Sequence, residues 1–318
     1  MKVNTPNKLR VGVVGTGHWA REVHVPGVLA STGADCAGVY GRSVDAARAI
    51  AARYGVAHYP TFEALLDDCD AVTVAVPPAA QPAFATAAAQ AGKHLLLEKP
   101  VALHESDAAS VARVVAANGV ACHVFFTRRY AVAVEAAIRD IATRRWTRAR
   151  ATVHSAAMSS ATPYRDSQWR QAYGAALWDI GPHVLSIVLA TMGPVTAVRC
   201  ECGGDPATVS LFLRHAPGSA SEASLTLHAD PRFAVTEYRF EAPDASAVLP
   251  QLDTTYPALF AAAVDELGAA VLSGRHDHRC DLRLGVETTR ILAAAERSAA
   301  SGGTIALDDT AAKWHSAA

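Results

Sequence analysis

The chain of 318 residues lacks any surplus of charge: 29 Lys and Arg stand against 30 Asp and Glu, a formal net charge of -1. That balance offers no basic surface to nucleic acid or to an acidic membrane. Long apolar runs are missing too. The alanine-rich stretches are broken by Arg, Gln and Asp, short of the roughly 18 residues that a membrane span requires. The opening MKVNTPNKLR lacks the apolar core of a secretory signal. Cysteine is scarce: the six at 36, 69, 122, 200, 202 and 280 form no C-x-x-C pair. Cys200 and Cys202 would share one face of a strand, which is open to a metal, but ordinary buried thiols are the simpler reading. No repeat and no low-complexity linker interrupts the chain. These absences predict a cytoplasmic protein with no structural disulfide, no metal, and neither a nucleic acid nor a membrane as partner.

What is present is a large potential core, with 51% hydrophobic and 19% charged residues in a length that suits about two domains. From residue 9 to about 126 apolar strands and helices alternate. Strands are predicted at 9–14, 34–40, 71–76, 94–98 and 121–126, with a helix at about 18–31 and further helices between the later strands. Ser43 and Thr61 stand where helix caps belong. Such alternation predicts a parallel sheet buried on both faces. After 126 the rhythm changes. Helices are predicted near 131–144 and 176–191, then successive strands at 194–202, 206–215, 221–229 and 233–241, separated by turn signals such as Gly203-Gly204, Pro217-Gly218 and Asp230-Pro231. Helices follow at about 254–273 and 281–300, then one short strand, GTIAL. The reading is an α/β protein with a dinucleotide-binding domain of Rossmann type over 1–122. An α+β domain, carrying a mainly antiparallel sheet, follows over 123–318.

The segment VGVVGTGHWA sets Gly15, Thr16, Gly17, His18, Trp19 and Ala20 directly between the first strand and a helix. A tight turn and a close approach to a pyrophosphate both favour glycine, and a helix N-terminus supplies free N–H groups. The pattern alone is weak, because glycines can simply be turn residues. The strand–helix alternation behind it supports a cofactor loop. The second strand ends Tyr40-Gly41-Arg42-Ser43 without the carboxylate that would bind a ribose 2′-hydroxyl. Gly41, Arg42 and Ser43 instead suit a 2′-phosphate, which favours NADP(H). The alternative is that Arg42 stacks on adenine and the cofactor is NAD(H).

Ligands of open parallel sheets bind beyond the carboxyl ends of the strands. Val76, Pro77 and Pro78 lie at one such end, and Glu98 and Lys99 at another, where Pro100 stops the strand HLLLE. Lys99 would therefore share a crevice with the cofactor, although a strand-end lysine is often only a solvated charge. A second constellation is LWDIGPHVLSIV. Asp179 and His183 are four apart, on one helix face, and Pro182 places them in a first turn. The histidine could exchange a hydroxyl proton as hydride leaves the same carbon, with Asp179 orienting it or relaying the proton. The alternative is a cap aspartate and a packed histidine. Tyr164, Trp169 and Tyr173 could wall a sugar ring or merely pack a loop.

Taken together, Gly15-x-Gly17-x-x-Ala20, "AGKHLLLEKPVA" (91–102) and "GAALWDIGPH" (174–183) resemble the Gfo/Idh/MocA oxidoreductases, the family of glucose–fructose oxidoreductase and inositol dehydrogenase. "SAASGGTIAL" (298–307) also fits. The resemblance spans nearly the whole chain. It implies Lys99 on the reacting oxygen, His183 as acid/base and Asp179 as its companion carboxylate. It places Glu98 near the ribose or nicotinamide, with Val76, Pro77, Pro78 and Gln81 beside the cofactor. By the same resemblance Thr127, Trp169, Arg170 and Tyr256 would contact the cofactor. Arg129 would contact substrate, with a domain-stabilising role as its alternative, and the aromatic wall of Tyr164, Trp169 and Tyr173 is a separate reading of the residues themselves. The sequence departs from the family pattern at Pro77-Pro78-Ala79-Ala80-Gln81, where Pro-Asn-x-x-His is usual. Thr127 replaces an asparagine, and Ser186 stands where a second aspartate is common.

The implied activity is that of an NAD(P)-dependent dehydrogenase or reductase acting on CH–OH groups of a sugar, cyclitol or related polyol or ketose. A trans-dihydrodiol or a nucleotide-linked ketosugar is an alternative substrate. A catalytically silent NAD(P)-binding sensor on the same fold is the rival function. A sheet with one open face would bury it against a copy of itself, so a homo-oligomer, dimer or tetramer, is expected.

Overall fold

The computed structural model describes residues 8–159, 162–172, 174–203, 208–216 and 218–308. In chain order the elements begin β1 (Leu9–Val14), α1 (Val25–Ala30), β2 (Ala34–Tyr40), α2 (Val44–Tyr54), α3 (Phe62–Asp67), β3 (Ala71–Val74), α4 (Gln81–Gln90), β4 (His94–Leu97), α5 (Glu105–Ala117) and β5 (Cys122–Val124). They continue with α6 (Val132–Ala142), β6 (Arg148–His154), α7 (Ala175–Met192), β7 (Val195–Cys202), β8 (Thr208–His215), β9 (Ser219–Thr226), β10 (Val235–Ala242), β11 (Ala245–Val248), α8 (Tyr256–Ser273), α9 (Leu282–Ser301) and β12 (Ile305–Ala306). Two compact units emerge: residues through Tyr130 with Asp253–Val286, and Ala131–Leu252 with the chain from Glu287.

The first unit is built on a parallel sheet of order β2-β1-β3-β4-β5. β3 and β5 are buried at every position, and β1 and β4 at nearly every one, so their unbroken apolar runs fit a sheet covered on both sides. The order reverses between β1 and β3, which is the topological switch point where such sheets take ligands. Helix starts follow the sequence. The Ser43 hydroxyl accepts the Ala46 N–H at 3.2 Å, and the Thr61 hydroxyl accepts that of Ala64 at 3.1 Å. The predicted helix at 18–31 carries a π-helical turn, Ala20–His24, before α1.

Helix α8 belongs to this unit, which departs from the expected contiguous division at 122/123. The reason is its apolar stripe. Leu259, Phe260, Ala263, Val264 and Leu267 are all buried. Phe260 meets Phe125 edge-to-face, with ring centroids 4.9 Å apart, and it lies over Gly27, where a Cβ would come within 2.7 Å of the Phe260 Cβ. Asp265 fixes the helix by accepting the N–H groups of Thr32 and Gly33, at 3.0 and 2.8 Å, and the Ser31 hydroxyl at 2.6 Å.

The second unit holds a sheet of order β11-β10-β6-β9-β8-β7-β12, antiparallel except where β6 runs parallel to β9. It is mixed but mostly antiparallel, as expected. β6 and β11 were not foreseen. β6 reads RARATVH, an alternation of arginine and alanine that buries only Ala149 and Ala151 and carries little strand signal. Along β8, Val209, Leu211 and Leu213 face inward and Phe212 and Arg214 outward. The inward faces of β6, β8 and β9 contact α7.

Two helices, α7 and α8, are long and apolar enough to cross a membrane by length and composition, although neither is an unbroken apolar run. Asp179, Pro182 and His183 interrupt the run in α7 without lowering its mean hydropathy far. α7 is buried over most of its length within its own unit, as a core helix is.

Candidate functional site

In the first unit the glycine loop lies at the switch point. Gly15 has φ +126°, donates its N–H to the Tyr40 carbonyl at 2.7 Å, and has no room for a Cβ against the Ala75 carbonyl. Backbone and packing both demand glycine there. Gly17 is different: its φ is not left-handed, and a Cβ would meet no protein atom within 4 Å. Neither packing nor backbone explains that glycine. Ala20 is buried, and the Arg21 N–H bonds the Gly17 carbonyl at 3.1 Å. Gly41 packs so closely on Thr16 that a Cβ would collide with its methyl group. Burial lowers the pKa of the half-buried His18, and Arg21 adds to the effect.

β4 ends at Leu97, so Glu98 and Lys99 stand just beyond the sheet. The Trp19 indole donates to Glu98 Oε1 at 2.7 Å, and His24 Nε2 lies 3.0 Å from the same oxygen. The His24 Nδ1 pairs with the Thr73 hydroxyl at 2.9 Å, and both residues are fully buried. Five residues apart, Trp19 and His24 would diverge on an α-helix. The wider π-turn, in which the Val25 N–H bonds the Ala20 carbonyl, brings them to one carboxylate. Tyr256 stands at the start of α8 with its ring 5.3 Å from that of Trp19. Sequence reasoning missed His24 and Thr73. Their signal, a histidine one π-turn after Trp19, becomes visible only once that turn is known.

Val76 is half-buried, Pro77 exposed and Pro78 buried beyond β3. Gln81, expected beside the cofactor, is buried, with its amide committed to the backbone of residues 98–101. Thr127 and Arg129 are buried in a 3-10 turn, and the Arg129 carbonyl accepts two bonds from Arg279, at 3.2 and 2.9 Å. At the end of β2, Arg42 is exposed, Ser43 caps α2, and Asp45 pairs with Arg48 at 3.0 Å.

In the second unit α7 carries the other constellation. Pro182 lies inside the helix, not in its first turn as predicted, because the helix begins at Ala175. Proline has no N–H, so the Trp178 carbonyl one turn earlier loses its usual partner. Asp179 and His183 flank this gap, the first buried and the second half-buried. Arg170 grips Asp179 with two bonds, Nε to Oδ2 at 2.7 Å and Nη2 to Oδ1 at 3.3 Å. The same guanidinium lies 4.6 Å from the Tyr164 ring centre and 4.2 Å from that of Trp169. Charge-assisted bonds and ring faces together fix the arginine. Gly181 lets Leu292 approach, since a Cβ would sit 2.6 Å from its methyl carbon. The Ser186 hydroxyl bonds the His183 carbonyl at 2.8 Å. Tyr173 lies outside the described residues. Among the described residues no group of three or more His, Cys, Asp or Glu is placed to hold a metal.

Comparison with known proteins bears on this geometry. The family model described as "oxidoreductase family, NAD-binding Rossmann fold" matches residues 9–126. A dTDP-3,4-didehydro-2,6-dideoxy-alpha-D-glucose 3-reductase of Streptomyces violaceoruber is 30% identical over 305 residues, covering 83% of this chain and 87% of that protein. An uncharacterized oxidoreductase of Rhizobium meliloti is 37% identical over 98 residues, 30% of this chain, and the match spans only 29% of that protein. Among solved structures, a levoglucosan dehydrogenase in complex with NADH and L-sorbose superposes with a TM-score of 0.83, covering 96% of this chain and 100% of that one at 20% identity. That likeness establishes the fold.

Proposed function

Because the chain belongs to the Gfo/Idh/MocA family of oxidoreductases, with their NAD-binding Rossmann fold, we propose that it transfers a hydride between a nicotinamide and a carbon of a sugar, cyclitol or related polyol. A bound nicotinamide supplies the hydride donor or acceptor. The protein supplies the rest. Lys99 donates to the reacting oxygen and stabilises the negative charge that develops there. His183 exchanges the proton. Asp179 has an Arg170 nitrogen on each oxygen, which favours an orienting role over a proton relay. The observation that carries the reading is the shared Glu98 oxygen. It ties the neighbour of Lys99 to Trp19, in the loop that would cradle the pyrophosphate.

The test is turnover with NAD(H) and NADP(H) on a panel of polyols, cyclitols, levoglucosan, L-sorbose, trans-dihydrodiols and nucleotide-linked ketosugars. Lys99→Ala should lower kcat/KM on the best substrate by about 10²–10⁴, with cofactor binding retained. Equal rates would remove the lysine from the mechanism. Cofactor binding without turnover of any panel member would favour the sensor reading.

Preference for NADP(H) is the finer part of this proposal. It rests on the exposed Arg42 and on a β2 end whose nearest carboxylate, Asp45, is paired with Arg48. Arg42→Ala should weaken NADPH binding at least tenfold more than NADH binding, and equal losses would end the argument. A homo-oligomer formed through the outer face of the second sheet belongs to the same reading. That face is polar, with Arg150–Glu222 and Arg239–Glu237 ion pairs, so light scattering should show association that weakens with salt.

A further inference from the structure

We propose that Gln81 is a positioning residue for Lys99. The inference rests on the catalytic reading of that lysine but is carried by contacts of its own. The Gln81 side chain is 1% exposed. Its amide oxygen accepts the Glu98 N–H at 2.9 Å, and its amide nitrogen donates to the carbonyls of Glu98, Pro100 and Val101 at 2.7, 2.9 and 3.2 Å. The sheet stops supporting this stretch at Leu97, whose carbonyl takes the Phe125 N–H at 2.8 Å. One residue later Gln81 takes over both backbone groups of Glu98, as a neighbouring strand would. Its remaining donor capacity holds the two carbonyls after Lys99, so backbone on either side of the lysine is tied to one amide.

Gln81 is itself anchored. It is the first residue of α4, where Pro82 stiffens the backbone, and its buried amide has no outlet to water. Moving the 98–101 segment would strand a buried donor and acceptor. Lys99 therefore has its backbone fixed from α4, while Glu98 is fixed from the glycine loop.

The experiment reads Lys99 directly, without substrate. Full-length protein is treated with trinitrobenzenesulfonate at pH 8, and labelling of Lys99 is followed by peptide mass spectrometry with Lys93 as internal control. Gln81→Met removes every polar contact at nearly constant length. Gln81→Glu keeps the acceptor and sets an oxygen against three carbonyls, which serves if the first variant does not fold. In either, Lys99 should label at least threefold faster and Lys93 at the parental rate. Gln81→His offers one donor and one acceptor and should restore labelling to within twofold.

The second readout is turnover on the best panel substrate. Either disrupting variant should lower kcat at least tenfold with KM changed less than threefold, and should cost less than twofold more in a Lys99→Ala background. Unchanged Lys99 labelling in a folded Gln81→Met or Gln81→Glu variant overturns the proposal, as does full multiplication of the two losses. Faster labelling with unchanged turnover would instead keep the positioning role and overturn the catalytic reading of Lys99.

Discussion

Gly15 and Gly17 are two residues apart and glycine for different reasons. At Gly15 the backbone conformation and the Ala75 carbonyl both exclude a side chain. Gly15→Ala should therefore lose roughly 1–3 kcal/mol of stability as well as cofactor binding. Gly17→Ala should melt as the parent does and yet bind NADH or NADPH at least tenfold more weakly, by fluorescence titration. Parental binding by the alanine variant would mean that nothing approaches this backbone. Gly15 was legible in the sequence, because motif spacing records a geometric need. Gln81 was expected beside the cofactor, and its bonds to the 98–101 backbone were not foreseen. A glutamine at a helix start reads as polar surface, and only coordinates reveal that backbone surrounds it. His24 and Thr73 were hidden in the same way, a polar pair buried where the pattern reads as helix and strand.

At the scale of elements, α8 shows how a helix can be predicted in extent and missed in allegiance. Its 3.6-residue apolar stripe was visible, but periodicity does not say which sheet the stripe covers. Asp265 is the specific lock. Asp265→Ala would deprive the buried Ser31 hydroxyl and the half-buried Gly33 N–H of their acceptor and should cost about 1–3 kcal/mol, read as a lower midpoint in urea with an unchanged slope. A midpoint equal to the parent's would reduce the lock to a surface contact. Pro182 gives the opposite lesson. Its chemistry argued for a first turn, yet α7 runs through it, because the helix is buried along its length and packing outweighs one lost hydrogen bond. β6 escaped notice since its inward residues are alanines, so a central strand of the second sheet carried the composition of a polar segment.

The whole molecule should weaken in mild acid, and His123 is the reason. It is fully buried on β5 and stacks on His278 at 3.9 Å, and neither ring nitrogen has a hydrogen-bond partner among the described residues. Burial, reinforced by His278, pushes its pKa down to about 3. The unfolded chain takes up this proton near pH 6.5 and the folded protein does not, so stability is lost as pH falls from about 6.5 toward 3. Burial raises Glu266, but its bonds to His278 and Arg279 outweigh that and hold it below the ordinary carboxyl range, so its contribution also disappears on acidification. His123→Phe should remove up to about 1.4 kcal/mol per pH unit from the slope between pH 6.5 and 4.5. An unaltered slope in urea titrations would exonerate this histidine.

The first unit is assembled from two stretches of chain that are far apart in sequence. Synthesis from the amino terminus must therefore reach residue 286 before the parallel sheet has its last covering residues. A nascent chain holding only its first five strands would present Phe125 and Gly27 with no Phe260 to meet them. Such a chain should engage chaperones on the ribosome and acquire affinity for nucleotide only near the end of translation.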